Sequence, residues 1–444
     1  MVLVDRTNLP QIFSTIKAAA AENADTPTVL LIVSHSIDSL ASSAILTKLL
    51  EDELVSHKVI PVTDYSELSR VYREQIADAA ELRSIFLINC GGILGLMGHL
   101  QQALDEEEGS TGERQARELP HPDCRWYVMD SHRPYGLENI DPHEESVVII
   151  HDGEPNEDMD DVLEQFDILA QVSENEASDD EDDDDYDPPS QRRRVTMNEY
   201  GSLSPDSQRD RRRFVKKLAK RYYAKSWHGS ASTLLCYHLV QALNKAGNEL
   251  LWLAIIGLTD QLVHERIEYE RYVGEAQALQ AEVGALNQDG GDETREVQGE
   301  DGGPSVLVKQ HISSRLRIDS VQELRLSLMR HWTVYEALQH SPYIASRLGL
   351  YQQAGREKLD IWLARMGIPL EECKQEYAYM RKQFKAPLFE KMLQYGNEFG
   401  LVNLTYPSFR CVTSYGNSQL AAADLVSGVA AVLENFDALD AGSH

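Results

Sequence analysis

No run of about twenty apolar residues occurs in the 444-residue chain, so the sequence holds no candidate membrane-spanning helix. The first residues, MVLVDRTNLPQIF, lack the basic head and apolar body of a secretory signal. Cysteine is scarce. The five present, Cys90, Cys124, Cys236, Cys373 and Cys411, are scattered, odd in number and without a Cys-x-x-Cys pair. That pattern predicts reduced thiols in an intracellular protein rather than a disulfide framework. Internal repeats are also missing. Basic residues are outnumbered, 42 against 72 acidic ones, for a net charge of -30.

The acidity is concentrated. ENEASDDEDDDDYD (174–187) holds ten acids and no base, 287–305 holds six acids and one arginine, and 105–108 holds four acids. These are read as loops, which leaves the folded body only mildly acidic. The overall sign therefore does not exclude a local basic groove for nucleic acid.

What is present in the first 150 residues is an alternation of strand and helix patterns. TVLLIVS (28–34) is a continuous apolar run, as expected of a strand buried on both faces. Further strands are predicted at KVIPV (58–62), SIFLI (84–88), RWYVM (125–129) and SVVII (146–150), with helices over 39–54 and 65–82. This is the rhythm of a parallel sheet with helices on both sides. From 174 to 207 almost nothing apolar is available to bury, and disorder is expected. RDRRRFVKKLAKRYYAK (209–225) follows with nine Lys or Arg. It reads first as a solvated helix face, with nuclear import (together with 192–194) and nucleic-acid contact as alternatives. Its Tyr222 and Tyr223 read as core. Residues 250–258 are apolar all round, which predicts a buried helix. SVQE (320–323) fits a capping box, predicting a helix with an apolar stripe at Val321, Leu324, Leu328, Trp332 and Tyr335. KLDIWLARMGIP (358–369) reads as a helix closed by Gly367 and Pro369. Trp332, Tyr335, Tyr343, Trp362 and Tyr377 are candidates for a partner face, most of them expected in the core.

Four strand or helix ends carry polar residues: VSHSIDSLAS (33–42), INCGG (88–92), MDSHRP (129–134) and GLTDQ (257–261). In a parallel sheet the C-terminal strand ends share one edge, where ligands sit. Carboxylates and imidazoles there could hold two divalent metals and activate a water against a phosphodiester.

That order resembles the DHH phosphoesterase superfamily, RecJ-type nucleases included, over about the first 265 residues. INCG, DSHRP, WHGSAS, AIIGLTDQ and HWTVYEAL together resemble the cell division control protein 45 family, a RecJ-related eukaryotic replication factor, to the end of the chain. The superfamily's Asp-x-Asp-x-x-x-Ser falls on Ser36, Asp38 and Ser42. Its second motif's Asp falls on Asn89, its Asp-His-His on Asp130, Ser131 and His132, and its fourth Asp on Asp260. Ser36, Asn89 and Ser131 are neutral, weak ligands, so the resemblance implies a degenerate site with no metal, cofactor or catalysis. Alternative roles are helix capping for Asp38 and Asp130, a polar-cleft hydrogen bond for His132, and pairing with a neighbour across the old site for Asp260, placed after a buried helix.

The expected fold is α/β. A parallel-sheet, RecJ-like lobe begins over 1–173, an acidic disordered insertion occupies 174–207, and the lobe's helical completion covers 208–285. A flexible acidic loop (286–306), an all-helical inter-lobe domain (307–400) and the start of an incomplete second lobe (401–444) follow. The family's second lobe is expected beyond, so the chain reads as a short form, a fragment or a shortened gene product. The implied role is nuclear and non-enzymatic: joining the minichromosome maintenance helicase ring and the GINS complex in DNA replication, with single-stranded DNA and replicative polymerases as further candidate partners and no membrane. Two rivals stand beside it: an active metal-dependent single-strand phosphoesterase, and an acidic interaction protein acting through 174–207.

Overall fold

The computed structural model describes residues 3–22, 26–77, 79, 81–108, 124–141, 146–154, 159, 162–163, 205–289, 294–297, 306–309, 316–326, 328–413 and 419–435. The insertion 174–204, with its expected disorder, lies outside them. The chain divides into two units, Met1–His35 with Leu46–Leu243, and Ser36–Ile45 with Asn244–His444. That boundary falls inside the stretch read as one helical completion.

The first unit is built on six parallel strands: β1 (Leu3–Asp5), β2 (Val29–Ser34), β3 (His57–Val62), β4 (Ser84–Ile88), β5 (Arg125–Met129) and β7 (Val147–His151). Their order across the sheet is β1-β7-β5-β4-β2-β3. The central strands β2 and β4 are apolar without alternation because both their faces are buried. Helices α1 (Leu9–Glu22), α2 (Ile37–Asp52), α3 (Tyr65–Val71) and α4 (Leu96–Glu108) fill the connections. The acids 105–108 therefore end a helix rather than lie in a loop. The helix expected over 65–82 stays α-helical only to Val71 and continues as a π-turn, Tyr72–Ile76.

From β2 the chain goes out to β3, then returns past β2 to β4 and onward to β5 and β7. The connections after β2 and after β4 run in opposite directions. Right-handed crossovers then put them on opposite faces and open a crevice at the strand ends between β2 and β4. Trp126, Tyr72, Tyr135 and Tyr222 are among the core side chains.

After the insertion comes α5 (Pro205–Tyr223), which begins three residues inside the stretch expected to be disordered. A two-residue strand, β8 (Trp227–His228), pairs with β6 (His132–Arg133), and α6 (Ser232–Ala242) follows.

In the second unit, α7 (Asn248–Val263) is buried nearly all round, as its sequence predicts. The acidic loop contains a strand, Thr294–Val297, that pairs with Val306–Lys309 at and beyond the loop's end. The helix expected from Ser320 is instead strand. Leu316–Leu324 pairs in antiparallel register with Thr405–Thr413 over nine residues. SVQE matches a cap locally, but continuous ladder pairing with a segment some ninety residues away outweighs one cap. The expected helices begin at Val334 and reach Gly396. Trp362 is fully buried and Tyr343 nearly so, while Trp332 is 41% exposed. All five cysteines are buried and none is in a disulfide. No helix among the described residues is long and apolar enough to cross a membrane.

Candidate functional site

The C-terminal ends of β4 and β5 lie side by side, and their polar residues form one hydrogen-bonded set. Asn89 leaves β4 with φ +52°, a left-handed conformation that asparagine tolerates better than most residues. Its Oδ1 accepts from the Ser131 backbone N–H at 3.0 Å and from Ser232 Oγ at 2.7 Å. An amide serves both donors while carrying no charge; a carboxylate there would add a second buried charge near Asp130.

Asp130 comes immediately after β5 and is 1% exposed. Its Oδ1 accepts from the His132 N–H at 2.9 Å and lies 2.7 Å from His132 Nδ1, and its Oδ2 accepts from the Gly92 N–H at 2.9 Å. Burial pushes this carboxyl up, but the bonds from His132 and Gly92 and the His132 charge outweigh burial and hold it below the usual range. The glycine is required: a Cβ at Gly92 would sit 2.7 Å from Asp130 Oδ2. Gly92 is further held through Asn139, whose Nδ2 donates to the carbonyls of Gly91, Gly92 and Leu94 while its Oδ1 accepts from the Leu96 N–H.

A second layer lies behind these residues. Arg133 and Asp152 are both buried and paired at 3.1 Å. The guanidinium also donates to the carbonyls of Asp130 and His132 and lies 4.0 Å from the Tyr135 ring centroid. Asp152 accepts from the Ser230 N–H at 2.8 Å. Gly229 leaves room for the pair, since a Cβ there would meet Asp152 Oδ2 at 2.5 Å. His132 is the accessible member of the set, its side chain 45% exposed and its ring 5.0 Å from that of His228.

The structure thus brings together Asn89, Asp130, Ser131 and His132. Asp130 caps no helix, because the next element in the chain is the strand β6, after Ser131. His132 does take the polar hydrogen bond weighed for it. Asp152 and Asn139 were not singled out from sequence, and Ser232 entered only as the last residue of WHGSAS. Asp152 had a signal of its own, as the polar residue after the apolar strand VVIIH.

Ser36, Asp38 and Asp260 fall in the second unit. Ser36 stands just before α2 and exchanges reciprocal bonds with Ser39: each backbone N–H donates to the other's Oγ at 3.2 Å. Position 36 thus works as a helix cap. Asp38 is buried in the first turn of α2, where its carbonyl accepts from Ser42 Oγ. Asp260 is buried inside α7 rather than after it, and the partners found for it are local in sequence rather than the expected one across the old site: His264 Nδ1 lies 2.8 Å from its Oδ1 and Arg266 3.3 Å from its Oδ2.

The bond to Asp260 raises the pKa of His264 against a smaller opposing effect of burial. The folded state therefore binds this proton more tightly than the unfolded chain. The pair's contribution is full below about 6.5 and is lost as pH rises through the raised folded value. His264→Gln is expected to remove this alkaline-side loss from a stability profile measured between pH 5.5 and 8.5. An unchanged profile would refute the assignment.

Among the described residues, no three His, Cys, Asp or Glu side chains stand together as a metal-binding group. The donor chemistry agrees with that. Within the first unit the surviving carboxylate, Asp130, is buried and spends both oxygens on the protein's own donors.

These features define an α/β protein with a parallel six-stranded sheet, helical regions and polar residues at a strand-end edge. The CDC45 family pattern matches residues 29–194 and 176–442, and the chain belongs to that family. It is 28% identical over 463 residues to the cell division control protein 45 homolog of Schizosaccharomyces pombe, covering 98% of this chain and 66% of that one. It is 30% identical over 491 residues to the Dictyostelium discoideum homolog, covering 98% and 71%. The fold is similar to the crystal structure of CDC45 from Entamoeba histolytica, with a TM-score of 0.61 at 22% identity over 96% of this chain and 63% of that one. The chain spans about two thirds of the length of the curated relatives it matches. A likeness to Mn²⁺-bound RecJ from Thermus thermophilus has a TM-score of 0.24 and carries no argument.

Proposed function

We propose that this chain is a nuclear DNA-replication factor that acts by binding rather than by catalysis, on a degenerate DHH-type site. In this reading Ser36, Asp38, Asn89, Asp130, Ser131, His132 and Asp260 occupy the old ligand positions. The protein joins the minichromosome maintenance helicase ring and the GINS complex to complete the replicative helicase. Single-stranded DNA and replicative polymerases are its further partners. The inter-lobe helices, with Trp332 exposed in the turn before the first of them, lean on the helicase ring.

The observation that carries the reading is that the strand-end acceptors are engaged by the protein's own donors. A dinuclear phosphoesterase needs carboxylate oxygens open to two dications and a water. Here Asn89 replaces one carboxylate, and both Asp130 oxygens point into the protein's own N–H groups. Calorimetry with Mn²⁺ on the purified chain is expected to show no binding, and a labelled single strand is expected to remain intact in the same preparation. Tight Mn²⁺ binding with cleavage lost in Asp130→Ala would overturn the reading in favour of an active nuclease. Capture of the purified helicase ring and GINS by the chain tests the scaffold role directly.

A further inference from the structure

The basic segment after the insertion has two distinct faces. Along α5, Val215, Leu218 and Tyr222 are buried. Arg213, Lys216, Lys217 and Lys220 are exposed and fall on the opposite side at i, i+3, i+4 and i+7 spacing. The two tyrosines, alike in sequence, separate. Tyr222 is buried and donates from its hydroxyl to the Tyr135 carbonyl, while Tyr223 is 50% exposed. The Tyr223 ring is nonetheless held in place. Its hydroxyl oxygen accepts from the Leu137 N–H at 2.8 Å, and its ring packs edge-on against Tyr222 at 5.2 Å. On the helical wheel Tyr223 falls beside Lys216 and Lys220.

We propose that this face of α5 binds single-stranded nucleic acid, with the four cations on successive phosphates and the Tyr223 ring stacked on a base. The chemistry of the face selects this occupant. Lysine-rich surfaces without buried aliphatic or aromatic anchors are poor protein interfaces, where lysine is depleted and hot spots are packed pockets. Phosphate contacts need only accessible cations, and sequence-tolerant single-strand binding adds an immobilised aromatic platform. In a chain of net charge -30 such a face is a local exception, where a polyanion is attracted. A duplex would use the cations but has no unstacked base for the ring. The assignment deepens the replication reading and rests on it only for the choice of DNA over RNA.

The test is fluorescence anisotropy of a labelled oligo-dT on the whole chain across a salt series. Replacing Arg213, Lys216 and Lys220 together by Gln is expected to weaken binding at least tenfold. It should also make the slope of log K against log salt shallower by about 2, since each single-strand phosphate contact contributes about 0.7. Tyr223→Ala is expected to weaken binding about tenfold with the slope unchanged, and Tyr223→Phe to keep most of the affinity because the ring remains. Far-ultraviolet circular dichroism confirms that the variants fold. Unchanged affinity and slope in the triple variant, or no oligonucleotide binding by the parent chain, overturns the proposal. So does displacement of the oligonucleotide by polyglutamate at equal charge concentration. Capture of the helicase ring by the triple variant separates the two readings. If it persists while oligonucleotide binding falls, the α5 site is supported independently of the scaffold role. If capture by the parent chain fails while the oligonucleotide effects hold, only the scaffold reading is lost.

Discussion

Asp152→Ala is expected to destabilise the first unit by about 3–5 kcal/mol, read as an earlier transition in urea unfolding. The carboxylate is fully buried, and the Arg133 side chain it pairs with is 5% exposed. Removing the acid strands a guanidinium where water cannot replace its partner, and it also leaves the Ser230 N–H without its acceptor. Asp152→Asn keeps the shape and an acceptor but not the charge, so it should lie between the parent and the alanine variant. Burial raises the Asp152 pKa, but Arg133 and the Ser230 bond outweigh it and leave the carboxyl below its ordinary 3.8. A depressed folded pKa means the stabilisation is present above about 3.8 and lost as pH falls through the folded value. The gap between parent and Asp152→Ala should therefore narrow in strong acid. A loss under about 1 kcal/mol at pH 7 would show that the pair adds little to the fold.

Glu323→Ala is expected to cost the second unit about 2–3 kcal/mol. Glu323 lies in the strand that replaced the expected helix, and its side chain is 5% exposed. Its Oε1 accepts from Arg330 and Arg410, each at 2.7 Å, and Arg330 reaches on to Asp424 at 3.3 Å. Asp424 in turn accepts from the Leu328 N–H. One carboxylate thus ties two antiparallel strands and, through Arg330, the helix Ala422–Glu434. The arginines are 35% and 27% exposed, so water relieves part of their loss and the cost stays below that of Asp152→Ala. Limited proteolysis should also cut the variant sooner than the parent. Parent-like stability and cleavage would refute the coupling.

Much of this architecture was legible in the residues. Uninterrupted apolar runs such as VLLIVS and SIFLI mark strands buried on both faces, whatever packs on them. MDSHRP announces polar residues at a strand end. The order of the motifs was enough to suggest the family. Such features are local: apolar periodicity, the chemistry of chain breaks and the spacing of polar residues are all written along the chain.

Other features depend on which segments meet. Whether SVQE opens a helix or lies in a strand turned on a ladder with 405–413, which no window around Ser320 contains. Tyr222 and Tyr223 are indistinguishable until α5 docks and one ring goes inward. Asp152 becomes the partner of a buried arginine only once β7 lies beside β5. Position 89 could be read as a lost metal ligand, but not that its amide oxygen would be claimed by Ser131 and Ser232, the latter 143 residues away. Burial and pairing are properties of three-dimensional neighbours, and a chain records its neighbours along the sequence far more plainly than those across space.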